Sequence, residues 1–403
     1  DIMKSLITVA LFVAVLFTAT AFGQSDEINI VPRPADTETG KGVFTITRQT
    51  KIVFSEPRFK SNAEMLRDQV LQRFGLRLEV TNKLQKKSSI MFDLTTQGEV
   101  AIREKGEHHL RISPQTIRLV GGPEGQFYAM HSLLQLMKAA TGGKVEVQAM
   151  NIYDQPRFPY RGMHLDVSRH FMPVEFVKKY IDLLAQYKFN YFHWHLTDDQ
   201  GWRIEIKKYP KLTEIGSKRS ESHEGVYSTI FKGDGRPVEG FYTQDQIKDV
   251  VAYAKARYIT VVPEIELPGH ASAALAAYPE LGKGCAAPDY KFEVKKTWRI
   301  FKEVFCPTDE TFKFLEDVID ETIALFPDSP YVHIGGDEVL KDYWKESAFV
   351  QELKKRENLK DEHEVQSYFV QRIEKHVNKR GKKIIGWDEI LEGGLAPNAT
   401  VMS

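Results

Sequence analysis

Cysteine is nearly absent from this chain: 403 residues hold only Cys285 and Cys306. Two such residues can staple at most one loop. Their separation of about 20 positions leaves two options open, one disulfide across a long loop or two free buried thiols. An excess of charge of either sign is also missing. Lys+Arg and Asp+Glu both number 55, for a net charge of zero, which argues against nucleic acid and against an anionic membrane surface as partners. A membrane-length apolar run is lacking as well. Residues 6–21 are almost wholly apolar, but the stretch is short for a span and Ala21-Phe22-Gly23 follows it with small residues. With Met3-Lys4 ahead of it, this segment reads as a signal peptide over residues 1–23, Asp1 and Ile2 being upstream read-through. Cleavage would leave a mature chain beginning near Gln24. No cysteine follows the apolar run, so no lipoprotein anchor is signalled. The expectation is export, to the periplasm or beyond the cell, without a membrane anchor.

What is present is a globular chain, 42% hydrophobic and 27% charged, long enough for two domains. Residues 24–155 read as a small α+β domain, with short strands near 43–47, 51–54, 77–80, 90–94, 110–113 and 116–120 and helices over 59–74 and 124–139. It gathers no catalytic-looking residues. The stretch NIYDQPRFP at 151–159, with two prolines, reads as a linker. From residue 156 onward strand, loop and helix alternate, which implies a parallel sheet. Strands fall at 162–167, 190–196, 259–265, 331–334, 383–387 and 400–403; helices fall at 173–187, 243–256, 308–325 and 363–380. Polar residues collect at the strand C-terminal ends, the habit of a (β/α)8 TIM barrel. Only about six strands are counted where eight close a barrel, so the catalytic domain, 156–403, is expected to be incomplete at its C-terminus, and this polypeptide alone to be poorly folded or inactive.

Four segments carry chemistry. HIGGDEV at 333–339 sets Asp337 beside Glu338 after two glycines and a short apolar strand. Adjacent carboxylates raise one another's pKa, and a protonated acid beside an ionised one suits general acid catalysis. HLDVSRHF at 164–171 puts Arg169 just past a strand end, where its fork of donors suits paired sugar hydroxyls. FHWHLTDDQGWR at 192–203 places His193 and His195 on one strand face, ahead of Asp198 and Asp199. With His270 and His333 these could form a metal site, although hydrogen-bonded histidines holding carboxylates suit the pattern better. VVPEIELPGH at 261–270 runs a buried strand into Glu264, Glu266 and His270. His270 would tune Glu338 with Asp198 orienting it behind. GWDEI at 386–390 offers Trp387 as a flat face at a strand end, for a sugar ring or for the core.

Together these segments resemble glycoside hydrolase family 20, the exo-acting β-N-acetylhexosaminidases, in motif order and rough spacing. The likeness extends to GQFYAMHSLLQLM at 125–137, which is similar to the family's N-terminal companion domain. The resemblance implies retaining, substrate-assisted cleavage of terminal non-reducing β-linked GlcNAc or GalNAc through an oxazolinium intermediate, an exception among glycosidases. It implies Glu338 as the general acid, Asp337 as the residue orienting the substrate's acetamido group, Asp198 and His270 as the relay behind the acid, Arg169 as the ligand of sugar hydroxyls, and Trp387 as a pocket wall. No metal and no cofactor are implied. The partner expected is an oligosaccharide or glycoconjugate ending in N-acetylhexosamine. Glu266 stands where the family usually has aspartate. Two other readings remain: a non-catalytic sugar-binding homologue, and a metal-dependent hydrolase built on His193 and His195.

Overall fold

The structure, a computed structural model, describes residues 28–94, 105–225 and 230–403. The signal-like segment, 1–23, lies outside the described residues. The chain falls into two compact units that divide between Pro156 and Arg157.

The first unit is built on one mixed sheet. Its strands are β1 (Asp36–Ile46), β2 (Lys51–Phe54), β3 (Glu79–Thr81), β4 (Ser89–Asp93), β5 (His108–Ile112), β6 (Thr116–Gly121), β7 (Lys138–Ala140) and β8 (Lys144–Asp154). They pair in the order β1-β8-β5-β6-β4-β2-β3, with β7 also on β8. The helices Lys60–Phe74 and Pro123–Leu136 pack on this sheet and on each other. The second is buried from Glu124 through Leu134, since the sheet covers one side and its partner helix the other. Two expectations need correcting here. The proposed linker begins too early, because Asn151–Asp154 finish β8 and pair with β1 and β5. Val145, Val147, Ala149 and Ile152 are buried along that strand, a near period-two pattern that outweighs the prolines beyond it. The second helix also stops at Leu136, and residues 138–140 turn back as β7.

The second unit follows the barrel pattern. Six parallel strands, β9 (Gly162–Asp166), β10 (Tyr191–His195), β15 (Thr260–Glu264), β16 (Tyr331–His333), β17 (Lys383–Trp387) and β18 (Thr400–Met402), lie side by side in that order. Two small antiparallel pairs, β11 (Thr197–Asp198) with β12 (Gly201–Trp202) and β13 (Lys218–Arg219) with β14 (Val238–Glu239), rise from the loop after β10. The crossovers are helical. Val174–Gln186 starts after Pro173, whose fixed φ suits a helix entry. Gln244–Lys255 opens with a full capping box between Thr243 and Gln246. Asp309–Leu325 and Glu362–Lys379 are capped by the side chains of Thr308 and Asp361. Ser272–Ala277, Asp342–Glu346 and Ala348–Glu357 are further short helices in the loops. Strand β10 shows why the sheet sits as it does. Phe192 meets Tyr180 of the first crossover helix, and Trp194 meets Tyr242 and Phe326. Its other face carries His193 and His195. Among the described residues no helix is long and apolar enough to cross a membrane.

Candidate active site

Strand register builds the floor of the site. Asp166, His195, Glu264 and His333 are successive partners across β9, β10, β15 and β16, so they form one row at the strand C-terminal ends. Glu264, with no exposed surface, is the hub. His193 Nε2 donates to its Oε2 at 2.8 Å, His333 Nδ1 lies 2.9 Å from its Oε1, and His195 Nδ1 lies 3.4 Å from its Oε2. Burial alone would keep this carboxyl protonated, but His195, His333 and His193 outweigh burial and hold it well below the usual carboxylate range. Burial also works against a charge on His195, yet Glu264, Asp198 and Asp166 prevail and push it up to about 9. His164, 3.2 Å from His195 Nδ1, is pushed down to about 4 by burial and by the neighbouring histidines. Trp387 closes this layer: its ring lies 5.0 Å from that of His333 and 5.8 Å from that of His193, and its backbone N–H donates to Gly335 at 2.9 Å.

Above the floor the acids and the arginine converge. Arg169 leaves β9 through a turn in which Asp166 Oδ1 accepts from the N–H groups of Ser168 and Arg169. Its guanidinium is held by Asp166 at 3.1 Å, Asp198 at 2.6 Å and the Gln200 amide oxygen at 3.1 Å. Burial opposes its charge, and the carboxylates of Asp198 and Asp166 more than offset burial, raising its pKa. His270 stands between two acid pairs. Its Nδ1 donates to Asp199 at 3.1 Å and lies 3.3 Å from Asp198. Its Nε2 lies 3.5 Å from Glu338 and 3.7 Å from Asp337. Burial would discharge this imidazole; Asp198, Asp199 and Asp337 overcome it and drive the pKa far above the ordinary value. The reverse holds for Asp198, where burial favours the protonated form and His270, His195 and Arg169 keep it ionised. Glu338 is the exposed member, with 43% of its side chain open against 24% for Asp337. It holds a left-handed φ of 52°.

Glu266 is buried behind this group and is pushed well above the carboxylate range, by burial first and then by the charges of Asp337 and Glu264. Gly335, at φ 65°, is glycine for two reasons: the conformation disfavours a side chain, and a Cβ there would sit inside the Glu266 carboxyl.

Thus the structure gathers Arg169, Asp198, His270, Asp337 and Glu338 around one mouth and sets Trp387 at its floor. Sequence reasoning named Asp199 only as a candidate metal ligand; here it makes the hydrogen bond to His270 and also accepts from Ser272 N–H at 2.9 Å. Sequence reasoning did not single out Gln200. Among the described residues five sets bring ligand-capable atoms within 4.8 Å of one another, two of them on the hub: His193 with Glu264 and His333, and His164 with His195 and Glu264. The short His193–Glu264 contact has hydrogen-bond length, so hydrogen bonding accounts for that spacing. Cys285 and Cys306 are joined as a disulfide.

A histidine bridging two acid pairs beside a charged arginine thus stands at the C-terminal mouth of a parallel barrel sheet, where barrel enzymes place their catalytic groups, and it is made of side chains that can carry protons. Residues 158–403 match the catalytic domain of glycosyl hydrolase family 20, and residues 27–155 match domain 2 of the same family. The chain belongs to glycosyl hydrolase family 20. It is 44% identical over 384 residues to a beta-hexosaminidase of Porphyromonas gingivalis, covering 93% of this chain and 47% of the relative. A beta-hexosaminidase of Vibrio furnissii is 36% identical over 379 residues, 93% of this chain and 59% of the relative. Among solved structures, Flavobacterium johnsoniae chitobiase aligns with a TM-score of 0.80 at 35% identity, over 94% of this chain and 55% of that one. The family 20 exo-β-N-acetylglucosaminidase of Vibrio harveyi, in complex with N-acetylglucosamine, aligns at 0.79 with 34% identity, over 92% of this chain and 56% of that one. The chain therefore spans about half the length of these relatives.

Proposed function

We propose that this chain carries the site of an exo-acting β-N-acetylhexosaminidase, removing terminal non-reducing β-linked GlcNAc or GalNAc from oligosaccharides or glycoconjugates with retention. The observation that carries this reading is the position of His270, joined to Asp198 and Asp199 on one side and to Asp337 and Glu338 on the other. In the mechanism, Glu338 gives its proton to the glycosidic oxygen as that bond breaks. The substrate's acetamido oxygen attacks the anomeric carbon and forms the oxazolinium ion, while Asp337 accepts from the acetamido N–H and offsets the growing positive charge. Glu338 then takes a proton from the water that opens the ring, and the product keeps the β configuration. Both acids act on the same substrate end, so their adjacency in sequence suits the task. Arg169, with three of its donors held by Asp166, Asp198 and Gln200, keeps the others for sugar hydroxyls. The names of the Porphyromonas and Vibrio relatives, and the N-acetylglucosamine bound to the Vibrio harveyi enzyme, support the sugar assignment.

Glu338→Gln tests the reading with p-nitrophenyl N-acetyl-β-glucosaminide and with poorer leaving groups. The expected loss is about 10²–10⁴-fold, greatest for the poor leaving groups; unchanged rates refute the role. Asp337→Asn should be similarly damaging. Binding of N-acetylglucosamine without any turnover by a full-length version of the protein would favour a non-catalytic homologue. We also propose export, on the apolar segment 6–21 with its small-residue boundary and on the Cys285–Cys306 disulfide, which suits an oxidising compartment. Cell fractionation with N-terminal sequencing should find a start near Gln24 outside the cytoplasm, and an unprocessed cytoplasmic protein would overturn this.

A further inference from the structure

We propose that Trp298 is a carbohydrate-stacking platform at the rim of the site, taking the C–H face of a pyranose ring whose hydroxyls reach Arg169. Three of the five tryptophans, Trp194, Trp202 and Trp344, are at most 2% exposed, whereas Trp298 is 57% exposed. Exposure of one apolar side chain is unremarkable by itself. What carries the inference is how this one is held. It lies on a loop closed at its base by the Cys285–Cys306 disulfide. Inside the loop the Lys295 ammonium and the Tyr290 hydroxyl both bind the Glu303 carboxylate, and Lys295 and Glu303 are buried. The loop is then sewn onto the acid-bearing segment. Lys295 N–H donates to the Asp199 carbonyl at 2.9 Å, and Gln200 Nε2 donates to the Thr297 carbonyl at 2.9 Å. The oxygen of that same Gln200 amide accepts from Arg169 Nε at 3.1 Å. One side chain therefore links the arginine to the residue preceding Trp298. The indole centroid lies 5.8 Å from the guanidinium carbon of Arg169.

A rigidly mounted aromatic face beside the guanidinium N–H groups that Asp166, Asp198 and Gln200 leave over matches the two sides of a pyranose, apolar across its C–H face and polar at its edge. Ile300, 46% exposed two residues on, widens the apolar tip. The inference rests on the reading above only in taking the ligand to be a sugar.

The experiment compares Trp298→Ala and Trp298→Phe in the native protein, with p-nitrophenyl N-acetyl-β-glucosaminide and N,N′-diacetylchitobiose as substrates. The alanine variant should raise KM about five- to tenfold with kcat little changed. Phenylalanine should recover most of the loss, and the melting temperature should not move. Tryptophan fluorescence, titrated with N-acetylglucosamine in the Glu338→Gln background, gives a readout free of catalysis: a saturable change whose half-saturation point Trp298→Ala raises about five- to tenfold. An unchanged KM in the alanine variant overturns the proposal. So does a drop in melting temperature with unaltered titration, which would mean that protein, not sugar, covers the indole. If Glu338→Gln leaves activity intact while the Trp298-dependent titration still saturates, the catalytic reading falls and the platform stands.

Discussion

Gly335→Ala should be costly, and mostly because of one neighbour. The backbone at Gly335 is pinned: its N–H donates to His333 Nδ1 at 3.1 Å and its carbonyl accepts from Trp387 N–H at 2.9 Å. It cannot slide away from an added methyl group. The left-handed φ of 65° costs an alanine about 1–2 kcal/mol. The methyl would also occupy the place of the Glu266 carboxyl, which is itself buried and has little room to turn. Overpacking of that kind adds about 1–3 kcal/mol. The expected total is about 2–5 kcal/mol, read as a lower urea midpoint at unchanged slope. The clash is separable from the conformational term by a double-mutant cycle. In a Glu266→Ala background the methyl has space, so Gly335→Ala should then cost only about 1–2 kcal/mol. Activity should fall in the single mutant, since Asp337 lies two residues along the same turn. If Gly335→Ala costs the same in both backgrounds, the reasoning about Glu266 is wrong, whatever the absolute values.

Stability should peak near pH 6.5. His195 sits at about 9 in the fold against 6.5 in the open chain, so its contribution, about 3 kcal/mol, is complete below pH 6.5 and is lost as pH rises through 9. His164 sits at about 4, so the unfolded chain takes up a proton between pH 6.5 and 4 that the fold does not, and stability declines on that side too. Denaturant midpoints across pH 4–9 should trace this maximum, and a flat profile above pH 6.5 would exclude the assigned charge on His195. Cys285→Ser with Cys306→Ser should cost about 3 kcal/mol, the loop-closure figure for a separation of 21 residues; a cost near zero would mean that the unfolded loop is already constrained.

The barrel strands were legible because their burial on both faces writes short apolar runs bounded by turn residues, as in β15 and β16, and because Pro173, Thr243 and Thr308 mark helix entries chemically. The end of β8 was not legible, since Pro156 and Pro159 signal irregular chain more loudly than the alternation before them. The acids that gather at the mouth are motif residues, visible as types. Asp198 and Asp199 could not be told apart from sequence: only the β11–β12 turn sets both against His270, at 3.3 and 3.1 Å, and turns Asp198 to Arg169 as well. The Glu264 hub was hidden for another reason. Its partners come from two other strands, and nothing local in the chain announces that His193 and His195 of β10 and His333 of β16 turn to the same carboxylate.

The Gln200 amide has a direction as well as a place. Its oxygen faces a donor on Arg169 and its nitrogen faces an acceptor on Thr297. Turned end for end, it would oppose like to like at both contacts, so the two bonds agree on one orientation and the side chain works as a keyed splint. A glutamate there, nearly identical in shape, would bring oxygen against the Thr297 carbonyl and break the splint at one end, while tightening it on the arginine. The substitution closest in outline is thus among the least tolerable. It also follows that the guanidinium and the rim loop tilt together, so that a hydroxyl seated on Arg169 is felt at Thr297, which lies 97 residues beyond Gln200 and takes the other end of the amide.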